Sequence, residues 1–184
     1  MKKSVRLLSR ASLLCAVLCV CALIRIPIGA VPMTLASFGV LLCGSLLPPT
    51  YAVLSVCTYL FLGAVGVPVF SSMTGGIGVL FGPTGGFLLS YPLLALIPSV
   101  VFSCHKRVLS TDGIHGGVLA AVTDVLAMGV CYLCGTAYYA WAVHISFEAA
   151  LGVCVLPFLL TDMLKIVLCI WITRSLFRRR LSML

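Results

Sequence analysis

The chain has 184 residues, 62% of them hydrophobic and 9% charged, and its mean hydropathy is +1.24. A soluble domain carries about 25% charged residues; here no Asp, Glu, Lys or Arg occurs from Ile26 to His105, so a soluble fold is excluded and a lipid-embedded bundle is expected. The net charge of +8 does not mark a nucleic-acid binder, because the basic residues cluster at the ends of apolar segments and form no stripe on a folded surface.

Six apolar segments are expected, at about 8–26, 33–48, 50–66, 84–104, 114–142 and 157–176, within a single integral membrane domain covering 1–184. Lys2, Lys3, Arg6 and Arg10 lead into the first. This start has the look of a signal peptide, but no small-residue cleavage site precedes a polar mature region, so it reads as a retained first span. The connection that follows, "RIPIGAVPM" (25–33), holds two prolines that prevent continuous helix.

The third segment runs into "GVPVFSSMTGGIGVLFGPTGG" (66–86), which is glycine-rich, uncharged and almost as apolar as the spans. Glycine lets backbone approach a ligand closely, and non-helical backbone at membrane depth is tolerated where it lines a protein cavity. A lid folding over a pocket is therefore expected, the alternative being a flexible tip. A phosphate loop is excluded: no Lys lies between Arg25 and Lys106, and Gly76-Ile-Gly78 is followed by Gly82, one residue too late for a dinucleotide fingerprint.

Lys106 and Arg107 occupy the break before the fifth segment. About ten residues into that segment stands Asp124, which reads equally as a cavity group or as a helix-packing contact, with Thr123 beside it able to hydrogen-bond locally. Cys131-x-x-Cys134 has redox or metal spacing but sits mid-helix without a second pair, so packing is the reading for these as for most of the ten cysteines. Tyr138, Tyr139 and Trp141 have the pattern of an aromatic belt. Ser146 is placed to cap a short surface helix ending before Pro157, which suits the first turn of the last span.

That last span, "PFLLTDMLKIVLCIW" (157–171), contains Asp162 and Lys165, three residues apart and so on one helical face. An ionisable group in hydrocarbon costs about 2.5–3.5 kcal/mol even on the gentlest scale. An internal ion pair or a snorkelling lysine would meet that cost. The favoured reading is a polar ligand site, since the glycine-rich loop and the proline-bent segments converge on the same membrane face. Carboxylate and ammonium together satisfy a ligand that offers N–H donors and a carbonyl or anionic oxygen. With both termini inside, ten of the twelve basic residues fall on inner segments, the exceptions being Arg25 and Lys165, and this sets an N-in, C-in expectation.

"RIPIGAVPMTL" (25–35), "YLFLGAVGVPVF" (59–70), "GGIGVLFGPTGGFLLSY" (75–91) and "PFLLTDMLKIVL" (157–168) occur in this order and spacing in BioY proteins, the biotin-binding S components of energy-coupling-factor (ECF) transporters. The chain resembles that family over about residues 11–175. The resemblance implies an all-α membrane protein, a six-transmembrane-helix S-component bundle that binds biotin with high affinity near the outer face and takes it up without catalysis, cofactor or metal. It implies loops over the ligand at 26–33 and 66–83, Asp162 and Lys165 as polar contacts, and Gly82, Pro83, Thr84, Gly85 and Gly86 as the opposite wall, with Gly75, Gly76 and Thr34 completing the site. The implied partners are a transmembrane coupling subunit, docking on a small-x-x-x-small surface at Ser12 and Ala16, and two ATPase subunits, in a bacterial cytoplasmic membrane. Phe87, Thr161, Ala36 and the run Ser71-Ser72-Met73 depart from the family pattern. The rival readings are an S component for thiamine or riboflavin, and an intramembrane thiol enzyme, which lacks a base placed to activate a cysteine.

Overall fold

The computed structural model describes residues 2–26, 33–104 and 114–181. Most of the first outer connection (27–32) and the loop bearing Lys106 and Arg107 lie outside the described residues, as do the side chains of Lys2, Lys3 and Arg178 to Arg180.

Eight α-helices are described: α1 (Lys2–Leu23), α2 (Ala36–Leu46), α3 (Pro49–Ala64), α4 (Ile77–Leu80), α5 (Gly85–Cys104), α6 (Ile114–Val143), α7 (Phe147–Cys154) and α8 (Leu159–Leu181). Two short strands, β1 (Arg25–Ile26) and β2 (Met33–Thr34), pair antiparallel between α1 and α2. By length and composition α1, α5 and α6 are each able to cross a membrane, and α7 with α8, bent by 56°, make a fourth such unit; α2 and α3 are shorter apolar helices. Large apolar side chains such as Leu13, Phe61, Leu126, Leu160 and Trp171 are exposed around the bundle. A surface so rich in them suits lipid rather than water.

Local chemistry sets the breaks. Pro48 is extended (φ −61°, ψ 154°) and Pro49 opens α3, which uses proline where its missing N–H costs nothing and cuts α2 short. Ser146 accepts a hydrogen bond from Ala149 N and caps α7 as the sequence leads one to expect. At the end of α6, His144 takes the left-handed conformation (φ 57°) and Ile145 N reaches back to Ala140 O, a C-terminal cap of the Schellman type.

Two close approaches fix the helices around the core. A Cβ on Gly44 of α2 would stand 2.6 Å from both Ala95 O and Pro98 Cγ of α5. A Cβ on Gly135 of α6 would stand 2.2 Å from Phe87 of α5. Between the helices lies one main core that includes Leu18, Val40, Leu41, Val56, Leu94, Ala127 and Cys169. Of the aromatic residues read as a belt, Trp141 is exposed, whereas Tyr139 is buried with Met33, Ala150 and Phe158. Tyr138 donates to Phe81 O in the glycine-rich connection.

Candidate ligand cavity

A cavity of about 100 Å³ opens among α2, α5, α6 and α8, closed in part by β2 and the 66–84 connection. Its walls are mainly apolar and aromatic: Met33, Tyr59, Phe87, Tyr91, Met128 and Phe158. The polar groups gather at one place. Lys165 Nζ lies 2.7 Å from Asp162 Oδ1 and donates to Thr34 O at 2.7 Å and to Ser37 Oγ at 3.1 Å. An ammonium has three donors; two are taken by these hydrogen bonds, and the pairing with Asp162 is electrostatic.

Asp162 is held from the other side by the Tyr132 hydroxyl, which donates to Oδ2. Asp162 and Lys165 are both buried. Their charges cancel, and hydrogen bonds from α2, β2 and α6 supply most of the polar contact that burial removed, the condition under which a buried pair is tolerated. Asp162 Oδ1 faces the ammonium but has no aligned hydrogen bond among the described residues. It is an acceptor with capacity left, at the polar end of an apolar cavity.

The residues singled out from sequence divide in position. Asp162, Lys165, Thr34 and Thr84 line the cavity. Gly85 and Gly86 serve close approach: a Cβ would meet Leu80 O at 1.9 Å from the first and Tyr138 Cβ at 2.3 Å from the second. Gly75 lies against the carbonyls of Gly66 and Val67, and Gly76 has φ +104°, a backbone that other residues rarely adopt. Gly82 and Pro83 belong to the turn leading into α5, and Gly82 accepts from Gly85 N. These residues shape the connection from which Ser71, Val79 and Thr84 reach the cavity.

Sequence reasoning did not single out Tyr132, Ser37, Tyr59 or Tyr91. The signal for Tyr132 and Ser37 was available only as polar atoms within apolar helices, with nothing to say which way they point. Cys131 also lines the cavity, with Ser90 Oγ at 3.0 Å from its sulfur; no group of three or more His, Cys, Asp or Glu able to hold a metal occurs among the described residues. Away from the cavity, Ser12 and Ala16 lie in a groove of about 460 Å³ between α1 and α3, lined also by Leu8, Cys19, Leu54 and Thr58. Arg25 donates to Ser72 Oγ, joining the 25–33 connection to the 66–84 connection.

The family model described as "BioY family" matches residues 1–182. A probable biotin transporter BioY of Pyrococcus horikoshii is 35% identical over 158 residues, covering 85% of this chain and 87% of that protein. The biotin transporter BioY of Thermotoga maritima is 35% identical over 162 residues, covering 88% and 90%. The fold is similar to the crystal structure of the S-component for biotin from an ECF-type ABC transporter, with a TM-score of 0.85 and 24% identity over 95% of this chain and 92% of that one.

Proposed function

The chain belongs to the BioY family, and from that premise we propose that it captures biotin as the substrate-specific membrane subunit of an ECF transporter. The observation that carries this reading is the buried Asp162–Lys165 pair at the polar end of an aromatic-walled cavity. Biotin has a ureido group with N–H donors and a carbonyl, an apolar thioether ring and stem, and a carboxylate. The ureido group meets the pair: its N–H donates to Asp162 Oδ1, and its oxygen accepts from Lys165 the N–H not used by Thr34 and Ser37. The ring lies against Tyr59, Phe87, Tyr91 and Phe158. The carboxylate, the group costliest to dehydrate, is directed to the outer opening.

The chain is a binding protein and not an enzyme. Its six apolar segments cross a bacterial cytoplasmic membrane with both termini inside, the arrangement supported by ten basic residues on inner segments. Gly75, Gly76 and the block Gly82 to Gly86 give the second outer connection the turns it needs to cover the ligand. A coupling subunit docks in the groove at Ser12 and Ala16 and, with two ATPases, supplies the differential interaction that any change of state requires.

Equilibrium binding of labelled biotin to the purified chain, beside Asp162→Asn and Lys165→Ala, tests the pocket. Tight wild-type binding weakened by about 100-fold or more in each variant is expected, since each leaves a buried polar partner unmatched. A wild type that binds thiamine or riboflavin in place of biotin would overturn the substrate. The docking reading has its own test. Ala16→Leu fills the groove and is expected to abolish co-purification with the coupling subunit while leaving biotin binding unchanged.

A further inference from the structure

The three helices that supply the cavity's polar groups each repeat a polar residue eight positions away. On α2, Ser37 is followed by Ser45; on α8, Lys165 is followed by Thr173; on α6, Tyr132 is preceded by Asp124. Eight helical residues span ~12 Å and about 2.2 turns, so the second set falls within the same inward stripe of each helix and forms a second polar layer below the first. Leu41 and Met128, buried in the main core, stand between the two layers.

Cys169 ties the lower layer together. Its sulfur lies 3.6 Å from Ser45 Oγ, and the Thr173 hydroxyl and the Asp124 carboxyl are its polar neighbours. Asp124 is 1% exposed, Thr173 2% and Cys169 0%. Both oxygens of Asp124 and the hydroxyl of Thr173 lack a hydrogen-bond partner among the described residues. The upper layer is matched by a cation; among the described residues the lower layer holds a carboxyl with none.

The surrounding elements explain why. α2, α3 and α5 carry no charged residue at all. On α8, Asp162 and Lys165 are paired with each other above, and Arg174 places its guanidinium beside Gly117, seven residues along α6 from Asp124. The arginines from Arg178 onward lie beyond it toward the end of α8. The titratable groups nearest in these elements are Cys169 itself and, next to it, Cys43 on α2; on α5 they are Tyr91 and Cys104, and on α6 His115 and Cys131.

We propose that the lower layer is a second binding site, that its ligand is a single proton, and that Asp124 carries it. An ionised carboxylate with no donor at this depth is the costliest state open to the side chain. A proton on one oxygen removes the charge, in a layer whose other polar side chains, Ser45, Cys169 and Thr173, are all neutral. One carboxyl, hydroxyls and a thiol make a poor cage for a divalent ion, which takes six or more oxygens. Because Leu41 and Met128 separate the layers, the proton is held whether or not the cavity is filled. Its release requires water to enter between the helices there, so opening of that part of the bundle, rather than ligand capture, is the pH-sensitive event.

Infrared spectroscopy of the purified full-length chain tests this. At neutral pH the wild type is expected to show the carbonyl stretch of a protonated carboxylic acid, shifted in D2O, absent from Asp124→Asn and retained in Asp162→Asn. The chain has four acidic side chains, which makes the assignment tractable. Asp124→Glu serves as the second variant and is expected to move the band. No acid band in the wild type, a band that survives Asp124→Asn or ignores Asp124→Glu, or a band erased by sodium chloride at constant pH overturns the proposal; the last result would reveal a metal-cation site. Biotin binding is measured on the same samples, with Asp124→Asn expected within about twofold of wild type, as for sites without shared partners. A wild type that shows the band and binds no biotin defeats the biotin reading alone, and one that binds biotin without the band defeats the proton site alone.

Discussion

Lys165 pairs with Asp162 and donates to the Thr34 carbonyl and Ser37, but Asp162 owes its orientation to a group on a different helix. The Tyr132 hydroxyl donates to Oδ2 and so turns Oδ1 toward the ammonium and the cavity. Tyr132→Phe removes this donor and keeps the ring. The carboxylate is then left short of a partner at a buried site, a loss of about 1–3 kcal/mol. The expected result is biotin affinity weakened by roughly 10-fold or more in a chain that still folds. Titration with labelled biotin reads it, and an unchanged Kd would show that Lys165 alone orients Asp162. At this scale the sequence was partly legible. Asp162 and Lys165 stand out because a charge inside an apolar run needs a reason. Tyr132 does not, because a tyrosine in such a helix reveals its direction only once α6 has packed against α8.

Among elements, the breaks were legible and the approaches were not. Proline pairs, the Ser146 cap and the apolar runs mark where helices begin and end. The 66–84 connection hides a 3₁₀ turn at Ser71–Met73 and the short helix α4, because its apolar residues follow neither a helical nor a strand period. Nor does a glycine in an apolar run say which neighbour it admits. Gly44 and Gly135 admit different ones, and two variants separate stability from binding. Gly44→Ala pushes α2 from α5 where Ala95 O and Pro98 Cγ would lie 2.6 Å from the new carbon. Overpacking of this kind costs about 1–3 kcal/mol, so the apparent Tm should fall by several degrees with biotin affinity nearly retained. Gly135→Ala collides with Phe87, 2.2 Å away, and Phe87 is a wall of the cavity. Here both Tm and affinity should fall. Thermal unfolding and biotin titration on the two proteins check the contrast; equal binding losses would mean that the helix pair responds as one rigid unit.

For the whole molecule, the question is how a site with its polar end buried admits a ligand and then holds it. The residues that close the cavity come from two connections distant in sequence: Met33 and Thr34 from one, Ser71, Val79 and Thr84 from the other. Arg25, paired through β1 with β2, donates to Ser72, whose backbone sits in the left-handed region (φ 66°). A serine held there is disfavoured by about 1–2 kcal/mol relative to its usual conformations, so the contact with Arg25 helps to keep this turn in the form that covers the cavity. In the proposed topology Arg25 is one of two basic residues away from the inner segments, and its link to Ser72 gives it a structural role. If the two connections must part for biotin to leave, Arg25→Ala should raise the dissociation rate while changing association little, because affinity differences within one site appear mostly in the off-rate. Stopped-flow chase of labelled biotin measures both rates. A faster off-rate shared by Arg25→Ala and Ser72→Ala, and no greater in the double variant, would place both residues in one clasp. Additive effects would mean that each connection releases the ligand by itself, and the two halves of the cover would then be independent gates.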